Sequence, residues 1–259
     1  MPSFAANLTM LFTEVPFTER FARAADAGFR GVEYLFPYAW PAAELKARLD
    51  EHGLTQVLFN LPPGDWDAGE RGIACLPDRV EEFRAGVATA IEYARVLDCP
   101  RLNCLAGLKP VDLDEDLAWQ TLVSNVSWAA ARLEEAGLTL CLEAINSRVD
   151  MPGFVLDTSG KVLALIEEVD GDNVRLQYDL YHMQIMEGDL IRSMECLLPW
   201  IGHIQFADNP GRHEPGTGEI NFSNVFAAID RMGYQGWVSA EYRPSAATAD
   251  SLQWFEGKR

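Results

Sequence analysis

The 259-residue sequence is poor in basic residues, with 21 lysines and arginines against 39 aspartates and glutamates and a net charge of −18. A surface of that sign repels phosphate backbones and anionic lipids, so neither nucleic acid nor a membrane is an expected partner. The sequence also lacks an apolar run of the roughly 18 residues that would span a bilayer. A small anionic substrate is still compatible with this net charge, provided that arginines, lysines or backbone N–H groups at the binding site offset the repulsion.

Paired cysteines at redox or metal-binding spacing are absent as well. The five cysteines form no CxxC pair and lie mostly in apolar patterns: Cys75, Cys99, Cys104, Cys141 and Cys196. They are therefore predicted to be reduced core residues, which is typical of a cytoplasmic protein. The opening segment, MPSFAANLTMLF, has no basic n-region and no cleavage signal, so a secretory peptide is not expected.

What the sequence does contain is an unbroken alternation of short apolar strands and amphipathic helices. Eight such units follow one another over residues 1–259, without a repeat-like linker, and 48% of the residues are hydrophobic. Strand–helix alternation is typical of a parallel sheet, and eight units in roughly 250 residues predict a closed barrel. The whole chain is therefore expected to form one α/β domain, a single (β/α)8 TIM barrel.

Four of the predicted strands end on an oxygen-bearing side chain. These strands lie in the segments LTLCLEAIN, NVRLQYD, IGHIQ and GWVSAE, and the tips are Glu143, Asp179, Gln205 and Glu241. Successive tips are separated by about one strand–helix–strand unit. The carboxyl ends of barrel strands meet at one face, so these four side chains are expected to converge there.

Oxygen ligands of this kind suit a hard divalent cation, and Mg²⁺ or Mn²⁺ is the predicted cofactor. The site would combine three carboxylates with one neutral amide. Glu143 and Glu241 could both ligate the ion and exchange protons with opposite faces of a substrate. The alternative is a set of polar residues at the barrel rim that neighbouring side chains satisfy.

Four further residues are candidates for binding the substrate: His182, Arg212, Arg71 and Lys109. The histidine follows Asp179 by three residues and could hydrogen-bond to a substrate oxygen, although a lone histidine is as often structural. The three basic residues lie in loops after predicted strands, where one of them could bind a substrate carboxylate. The alternative for each of the three is a solvated loop charge.

The segment 61–77, LPPGDWDAGERGIACLP, is longer than an ordinary connection in a compact domain, and its apolar residues argue against disorder. It is predicted to be an ordered flap over the site. Polar residues at the ends of the first three strands could line the pocket and nearby aromatic residues could wall it, with core packing as the alternative for the aromatics. These residues are Asn7, Glu33, Asn60, Phe12, Tyr34, Phe36 and Trp66.

Several segments resemble the hydroxypyruvate isomerase family, which belongs to the xylose-isomerase-like barrels alongside the 2-oxo-tetronate isomerases. They are NLPPGDWDAGERGIACLP, CLEAIN, YDLYHMQIMEGD, GHIQFADNPGRHEPGTGEINF and YQGWVSAEYRP, and the resemblance covers nearly the whole chain. It implies a divalent metal bound by Glu143, Asp179, Gln205 and Glu241. It also implies that the two glutamates are the proton donor and acceptor. The sequence shows no departure from the family pattern at these four positions.

The reaction implied by the resemblance is the isomerisation of hydroxypyruvate to 2-hydroxy-3-oxopropanoate (tartronate semialdehyde), a step of glyoxylate metabolism. One glutamate would remove a carbon-bound proton, the metal would stabilise the enediolate charge, and the other glutamate would return a proton to the adjacent carbon. The expected partner is thus a small anionic hydroxy-oxo acid. The sequence leaves open which acid and which metal are used, and a homo-oligomer is compatible with it.

Several alternatives are kept beside this one. A 2-oxo-tetronate isomerase would run the same chemistry on a four-carbon acid. A ketose 3-epimerase would use the same glutamates on a longer sugar, but epimerases of this superfamily commonly place a histidine where Gln205 stands. An endonuclease IV-like phosphodiesterase needs a histidine-rich multi-zinc site, which four histidines and the net charge of −18 disfavour. A non-enzymatic sugar-acid binding protein would keep the pocket without turnover.

Overall fold

The computed structural model describes residues 2–257 and shows eight parallel strands closed into a barrel in sequence order. The barrel closes where Phe4 of the first strand pairs with Val238 of the last. The predicted (β/α)8 barrel is therefore confirmed. The strands are β1 (Ser3–Asn7), β2 (Gly31–Glu33), β3 (Thr55–Asn60), β4 (Arg101–Cys104), β5 (Thr139–Glu143), β6 (Val174–Asp179), β7 (Ile201–Phe206) and β8 (Trp237–Ala240).

The α-helices surround this barrel and connect its strands. They are α1 (Arg20–Ala27), α2 (Ala42–His52), α3 (Val80–Leu97), α4 (Glu115–Glu135), α5 (Ser159–Val169), α6 (Leu180–Met186), α7 (Leu190–Leu197) and α8 (Phe222–Arg231). Short 3-10 helices cover Phe17–Glu19, Pro77–Arg79, Leu198–Trp200 and Thr248–Phe255. A polar cap begins the longest helix: the Asp114 carboxylate accepts the N–H of Leu117 at the start of α4.

The connection between β6 and β7 contains two α-helices, α6 and α7. The first, α6, starts directly after Asp179 without a linker. Asp179 is its N-cap, and the carboxylate accepts the N–H of Tyr181 at 2.8 Å. The seven residues of α6 follow an apolar strand directly and are too few to show the hydrophobic periodicity of a helix in the sequence. The consequence is that His182 lies within one helical turn of Asp179, at the barrel mouth.

The four predicted tips lie near the strand ends, with two small corrections. Glu143 and Asp179 are the last residues of β5 and β6, as expected. Gln205 is followed by one more strand residue, Phe206, and Glu241 comes one residue after β8. All four therefore still reach the carboxyl-terminal face of the barrel, where the sites of TIM-barrel enzymes lie.

Alternation along β7 shows how the strands divide the polar and apolar parts of the protein. His203 and Gln205 contact Glu33 of β2, so their side chains point into the barrel. Phe206 points outward and packs against Phe226 of α8 with ring centroids 5.2 Å apart. The large apolar core thus lies between the barrel and its helices, whereas the interior of the barrel near the mouth is polar.

The cysteines are all free, in agreement with the expected reduced state, but one is not a core residue. Cys75, Cys99, Cys104 and Cys141 are buried, while Cys196 is exposed on α7. Within residues 2–257, no helix combines the length and the apolar character that crossing a membrane would require.

The packing of α4 generates a stability prediction. Leu133 is fully buried, whereas Leu117 of the same helix is 46% exposed. We expect Leu133→Ala to lower the free energy of unfolding by about 2–5 kcal/mol, because it leaves a cavity in the core. Leu117→Ala, the matched control, should change it by less than about 0.5 kcal/mol. Urea denaturation compares the two variants, and equal losses would contradict this assignment of the core.

Candidate active site at the carboxyl ends of the strands

A cavity of about 240 Å³ opens at the carboxyl-terminal face of the barrel. Among the residues predicted for the site, five line it directly: Glu143, Glu241, His182, Arg212 and Arg71. Asn60 and Trp66, predicted to line or wall the pocket, are also part of its surface. Charged groups of both signs thus face one small space, which suits a small polar ligand.

Two acids and a histidine form the closest cluster in this region. One possible ligand atom each from Glu143, Asp179 and His182 lies within 4.8 Å of the others, and all three side chains are buried. The Oδ2 atom of Asp179 is buried and has no hydrogen-bond partner among residues 2–257. An orphaned carboxylate oxygen beside a second buried acid is a fitting environment for a hard cation.

Arg212 connects this cluster to the second glutamate. Its Nη2 atom donates to Oε2 of Glu241 at 2.5 Å and lies 3.8 Å from Oδ2 of Asp179. The guanidinium also lies 5.2 Å from the ring centroid of Tyr181. Arg212 was expected to bind a substrate carboxylate, and in this structure it contacts carboxylates of the protein instead.

Gln205 meets the acids with the nitrogen end of its amide. Its Nε2 atom donates to Oε1 of Glu33 at 2.7 Å and to Oε1 of Glu241 at 3.3 Å. Its Oε1 atom accepts from Gln177 at 2.5 Å. Metal ligation by Gln205 needs the oxygen, which in this arrangement is engaged with Gln177, so the ligand role of Gln205 stays a prediction.

The hydrogen bonds of His182 assign its tautomer. Oδ1 of Asn146 accepts two backbone N–H groups of the following loop, which fixes the amide, and Nδ2 then donates to Nδ1 of His182 at 2.7 Å. Burial, and then the charge of Arg212, lower the pKa of His182 well below its ordinary value, so the ring is neutral. Its proton is therefore on Nε2, 3.9 Å from Glu143 and 3.7 Å from Asp179. His182 offers the cavity a donor rather than a lone pair.

The acids of the site are held in a state close to protonation. Burial, together with the charges of Glu241 and Asp179, raises the pKa of Glu143 well above its ordinary value. Burial also raises the pKa of Glu241, although Arg212 opposes it. Carboxyl groups whose pKa is shifted upward in this way can both accept and donate protons near neutrality, which is what general acid–base chemistry requires.

The flap of residues 61–77 lies over this cavity, as predicted. It is fixed by Glu70, whose carboxylate accepts the N–H of Asp65 and pairs with Arg79 at 2.6 Å. The guanidinium of Arg71 lies 4.0 Å from the ring centroid of Trp66 and donates to that residue's carbonyl oxygen. Both side chains line the cavity, so the flap contributes a cation and an aromatic wall.

Lys109, predicted to bind the substrate, does not line this cavity. Its Nζ atom donates to the carbonyl oxygens of Pro110 and Leu113 and lines a separate hollow. The turn that carries it bridges to the loop after β5 through Leu108 and Phe154, which draws the chain away from the cavity. Sequence position after a strand does not reveal such a bridge.

The aromatic candidates divide between wall and core. Phe36 supports the wall through Trp66, with ring centroids 5.0 Å apart. Tyr34 is buried against Phe17 and Phe21 instead, and Phe12 lines another surface hollow. Core packing, the alternative considered for these residues, is therefore correct for Tyr34.

Two polar residues lie behind the cavity: Asn103, which the sequence analysis did not single out, and Glu33, which it expected to line the pocket. Asn103, the next-to-last residue of β4, donates to Oε2 of Glu143 at 3.1 Å and was not singled out, because the strand ends on Cys104, which is not an oxygen-bearing residue. Glu33 lies behind the cavity wall, with His203 2.7 Å from its Oε2 atom. Burial alone would raise the pKa of Glu33, but the charge and hydrogen bond of His203, with the bond from Gln205, lower it.

Comparison with known proteins agrees with this architecture. A family model described as a xylose isomerase-like TIM barrel matches residues 21–258. The hydroxypyruvate isomerase of Escherichia coli K12 is 49% identical over 259 residues, all of both chains. The 2-oxo-tetronate isomerase of Cupriavidus necator is 48% identical, covering 99% of this chain and 98% of that protein. A crystal structure described as AP endonuclease, family 2, from Brucella melitensis superposes with a TM-score of 0.97 at 46% identity and full coverage of both chains. The chain therefore belongs to the hydroxypyruvate isomerase family of xylose isomerase-like TIM barrels.

Proposed function

We propose that the protein is a metal-assisted isomerase that interconverts the ketone and aldehyde forms of a small hydroxy-oxo acid. Hydroxypyruvate and 2-hydroxy-3-oxopropanoate are the leading pair, and 2-oxo-tetronate is the alternative substrate. The observation that carries the proposal is the pair of buried glutamates, Glu143 and Glu241, at one small cavity that arginines also line. The activities named for the full-length relatives support the same reaction class.

The two glutamates supply the proton transfers. One carboxylate removes a proton from C3 of hydroxypyruvate, and the electron pair of that bond forms the enediolate. The other glutamate delivers a proton to C2, while a proton passes from the oxygen on C3 to the oxygen on C2. No atom is gained or lost. The raised pKa values of Glu143 and Glu241 make both groups competent to change protonation state during the cycle.

A divalent cation, Mg²⁺ or Mn²⁺, would be held by Glu143, Asp179 and Glu241, with Gln205 as the fourth predicted ligand. The unpartnered, buried Oδ2 of Asp179 supports this assignment. When bound, the ion supplies Lewis-acid stabilisation of the negative charge that develops on the substrate oxygens. His182 is assigned to the substrate rather than to the ion, because its Nδ1 atom accepts from Asn146, so that Nε2 carries the proton and can donate to a ligand.

Arg71 is our candidate for binding the substrate carboxylate. Arg212 is already engaged with Glu241 and Asp179, so its charge is shared with the protein. The hydrogen bonds of Arg71 to other described residues use Nη1 alone, which leaves Nε and Nη2 for a ligand. Stacking on Trp66 orients the guanidinium in advance, and a pre-oriented arginine suits the planar geometry of a carboxylate.

The size and charge of the cavity favour a short acid. Its volume of about 240 Å³ lies below the roughly 300–1,000 Å³ of sites for drug-sized ligands, which argues against the longer ketose of an epimerase. A nuclease would have to bring polyanionic DNA to a chain of net charge −18, and His182 is the histidine that lines the cavity. The endonuclease description of the Brucella melitensis structure is therefore not carried over to this protein.

Removing either catalytic carboxylate tests the acid–base roles. We expect Glu143→Gln and Glu241→Gln each to lower kcat for hydroxypyruvate by about 10²–10⁴-fold, because an amide cannot accept the carbon-bound proton. Circular dichroism should show the barrel intact in both variants. Turnover like that of the wild type in either one would remove that glutamate from the mechanism.

Neutralising Arg71 tests the carboxylate site. We expect Arg71→Met to raise KM for hydroxypyruvate by about 10–100-fold, because a charge-assisted hydrogen bond contributes about 1.5–3 kcal/mol. Inhibition by dihydroxyacetone, which has no carboxylate, should stay unchanged. Lys109→Met is the matched control and should behave like the wild type. A larger effect of Lys109→Met than of Arg71→Met would reverse the assignment.

Metal loading should be linked to protons. Burial and the charges of neighbouring carboxylates raise the pKa values of Glu143 and Glu241, so these carboxyls retain protons in the metal-free protein and must lose them to ligate a cation. We therefore expect Mg²⁺ affinity to rise with pH and proton release on binding, and EDTA to abolish turnover. Titration calorimetry in two buffers of different ionisation enthalpy measures the release, and identical heats in both would contradict it.

A further inference from the structure

Behind the cavity, two carboxylates are joined by two side-chain amides. The Nδ2 atom of Asn7 donates to Oε1 of Glu33 at 3.0 Å and to Oε1 of Glu241 at 2.9 Å. The Nε2 atom of Gln205 donates to the same two oxygens, at 2.7 and 3.3 Å. Each amide therefore donates one N–H to each carboxylate. Oε1 of Glu241 and Oε1 of Glu33 thus share the same two donors, Asn7 and Gln205.

The orientation of both amides is fixed at their oxygen ends as well. Oδ1 of Asn7 accepts the backbone N–H of Thr9 at 3.0 Å, and Oε1 of Gln205 accepts from Gln177 at 2.5 Å. An ionised carboxylate accepts hydrogen bonds and donates none. With Glu33 in place, the nitrogen ends of Asn7 and Gln205 must face it, and neither amide can turn over without losing a bond.

Glu33 itself is built as an anchor. It is fully buried at the end of β2, it does not line the cavity, and its Oε2 atom lies 2.7 Å from Nε2 of His203. Its position therefore puts it out of reach of a substrate, while Asn7 of β1 and His203 and Gln205 of β7 hydrogen-bond to it. A buried acid satisfied in this way is rigid, and rigidity is what an orienting group behind a reacting side chain needs.

We propose that Glu33 is a positioning residue for the isomerisation, acting through Asn7 and Gln205 to fix Glu241. The inference rests on the proposed function. The paired bridges immobilise Oε1 of Glu241 and leave its Oε2 facing Arg212 and the cavity. The other glutamate is held separately, because Asn103 donates to Oε2 of Glu143 at 3.1 Å.

This separation gives the two glutamates different supports, so each support should affect one proton transfer. Loss of Glu33 should slow transfer at the carbon that Glu241 serves, and loss of Asn103 should slow transfer at the carbon that Glu143 serves. A residue with a merely structural role would slow both transfers together.

The test follows carbon-bound hydrogen by proton NMR in D2O with the Mg²⁺-loaded protein, starting once from hydroxypyruvate and once from 2-hydroxy-3-oxopropanoate. We expect the wild type to exchange hydrogen from both sides and to turn over. Glu33→Gln keeps the side-chain size but places an NH2 group against the two amides. It should lower turnover by about 10–100-fold, as changes behind a reacting group commonly do. Exchange of carbon-bound hydrogen with solvent, without turnover, should persist when one of the two substrates is supplied and should fall when the other is supplied.

Asn103→Leu is the matched variant, because Asn103 supports Glu143. In this variant hydrogen exchange should persist from the substrate for which it falls in Glu33→Gln, and fall from the other substrate. If Glu33→Gln does not yield a folded barrel, Asn7→Ala removes one bridge and leaves the pair of Glu33 and His203 intact. It should show the same asymmetry as Glu33→Gln, to a smaller degree.

Equal loss of exchange from both substrates in the folded Glu33 or Asn7 variant, or unchanged kinetics, would overturn the positioning role. A metal-loaded wild type that shows neither exchange nor turnover would instead overturn the proposed function, and the inference with it.

Discussion

The constraint that organises the protein is the burial of several carboxylates side by side at one end of a barrel. Glu33, Glu143, Asp179 and Glu241 are all nearly inaccessible to solvent. Like charges in a poorly hydrated space repel strongly, so each needs a partner. His203 pairs with Glu33, and Arg212 lies between Glu241 and Asp179. Side-chain amides donate to Glu33, Glu143 and Glu241. Oδ2 of Asp179 is buried without a hydrogen-bond partner among residues 2–257, so it can bind a cation.

Local structure delivers those partners to the barrel mouth. The loop after β7 is folded around Asp208, whose buried carboxylate accepts the backbone N–H groups of Gly216, Gly218 and Ile220. That loop presents Arg212, which adopts a left-handed backbone conformation with φ of 59°. Helix α6 begins directly at the end of β6 and so holds His182 beside Asp179. The loop after β7 and the direct junction of β6 with α6 therefore determine which charged and polar side chains reach the buried acids.

The sequence was sufficient for the barrel and for the tips of its later strands, because strand spacing and the single open face of a parallel barrel decide where those side chains lie. It was insufficient where tertiary contacts decide. Arg71 and Lys109 are both basic residues in loops that follow strands, so the sequence does not distinguish them. In the structure a bridge between loops holds the turn of Lys109 away from the cavity. The orientation of the Gln205 amide is set by its hydrogen bonds to Glu33 and Gln177, which are remote in sequence. Sequence spacing therefore cannot show whether the oxygen or the nitrogen of this amide faces the acids.

The most direct test of this account is a crystal structure of the protein with Mn²⁺, located by its anomalous scattering. The account predicts one manganese peak within the cavity, with carboxylate oxygens of Glu143, Asp179 and Glu241 at bonding distance. A peak elsewhere on the molecule, or an ion that leaves Asp179 and Glu241 unbound, would contradict it.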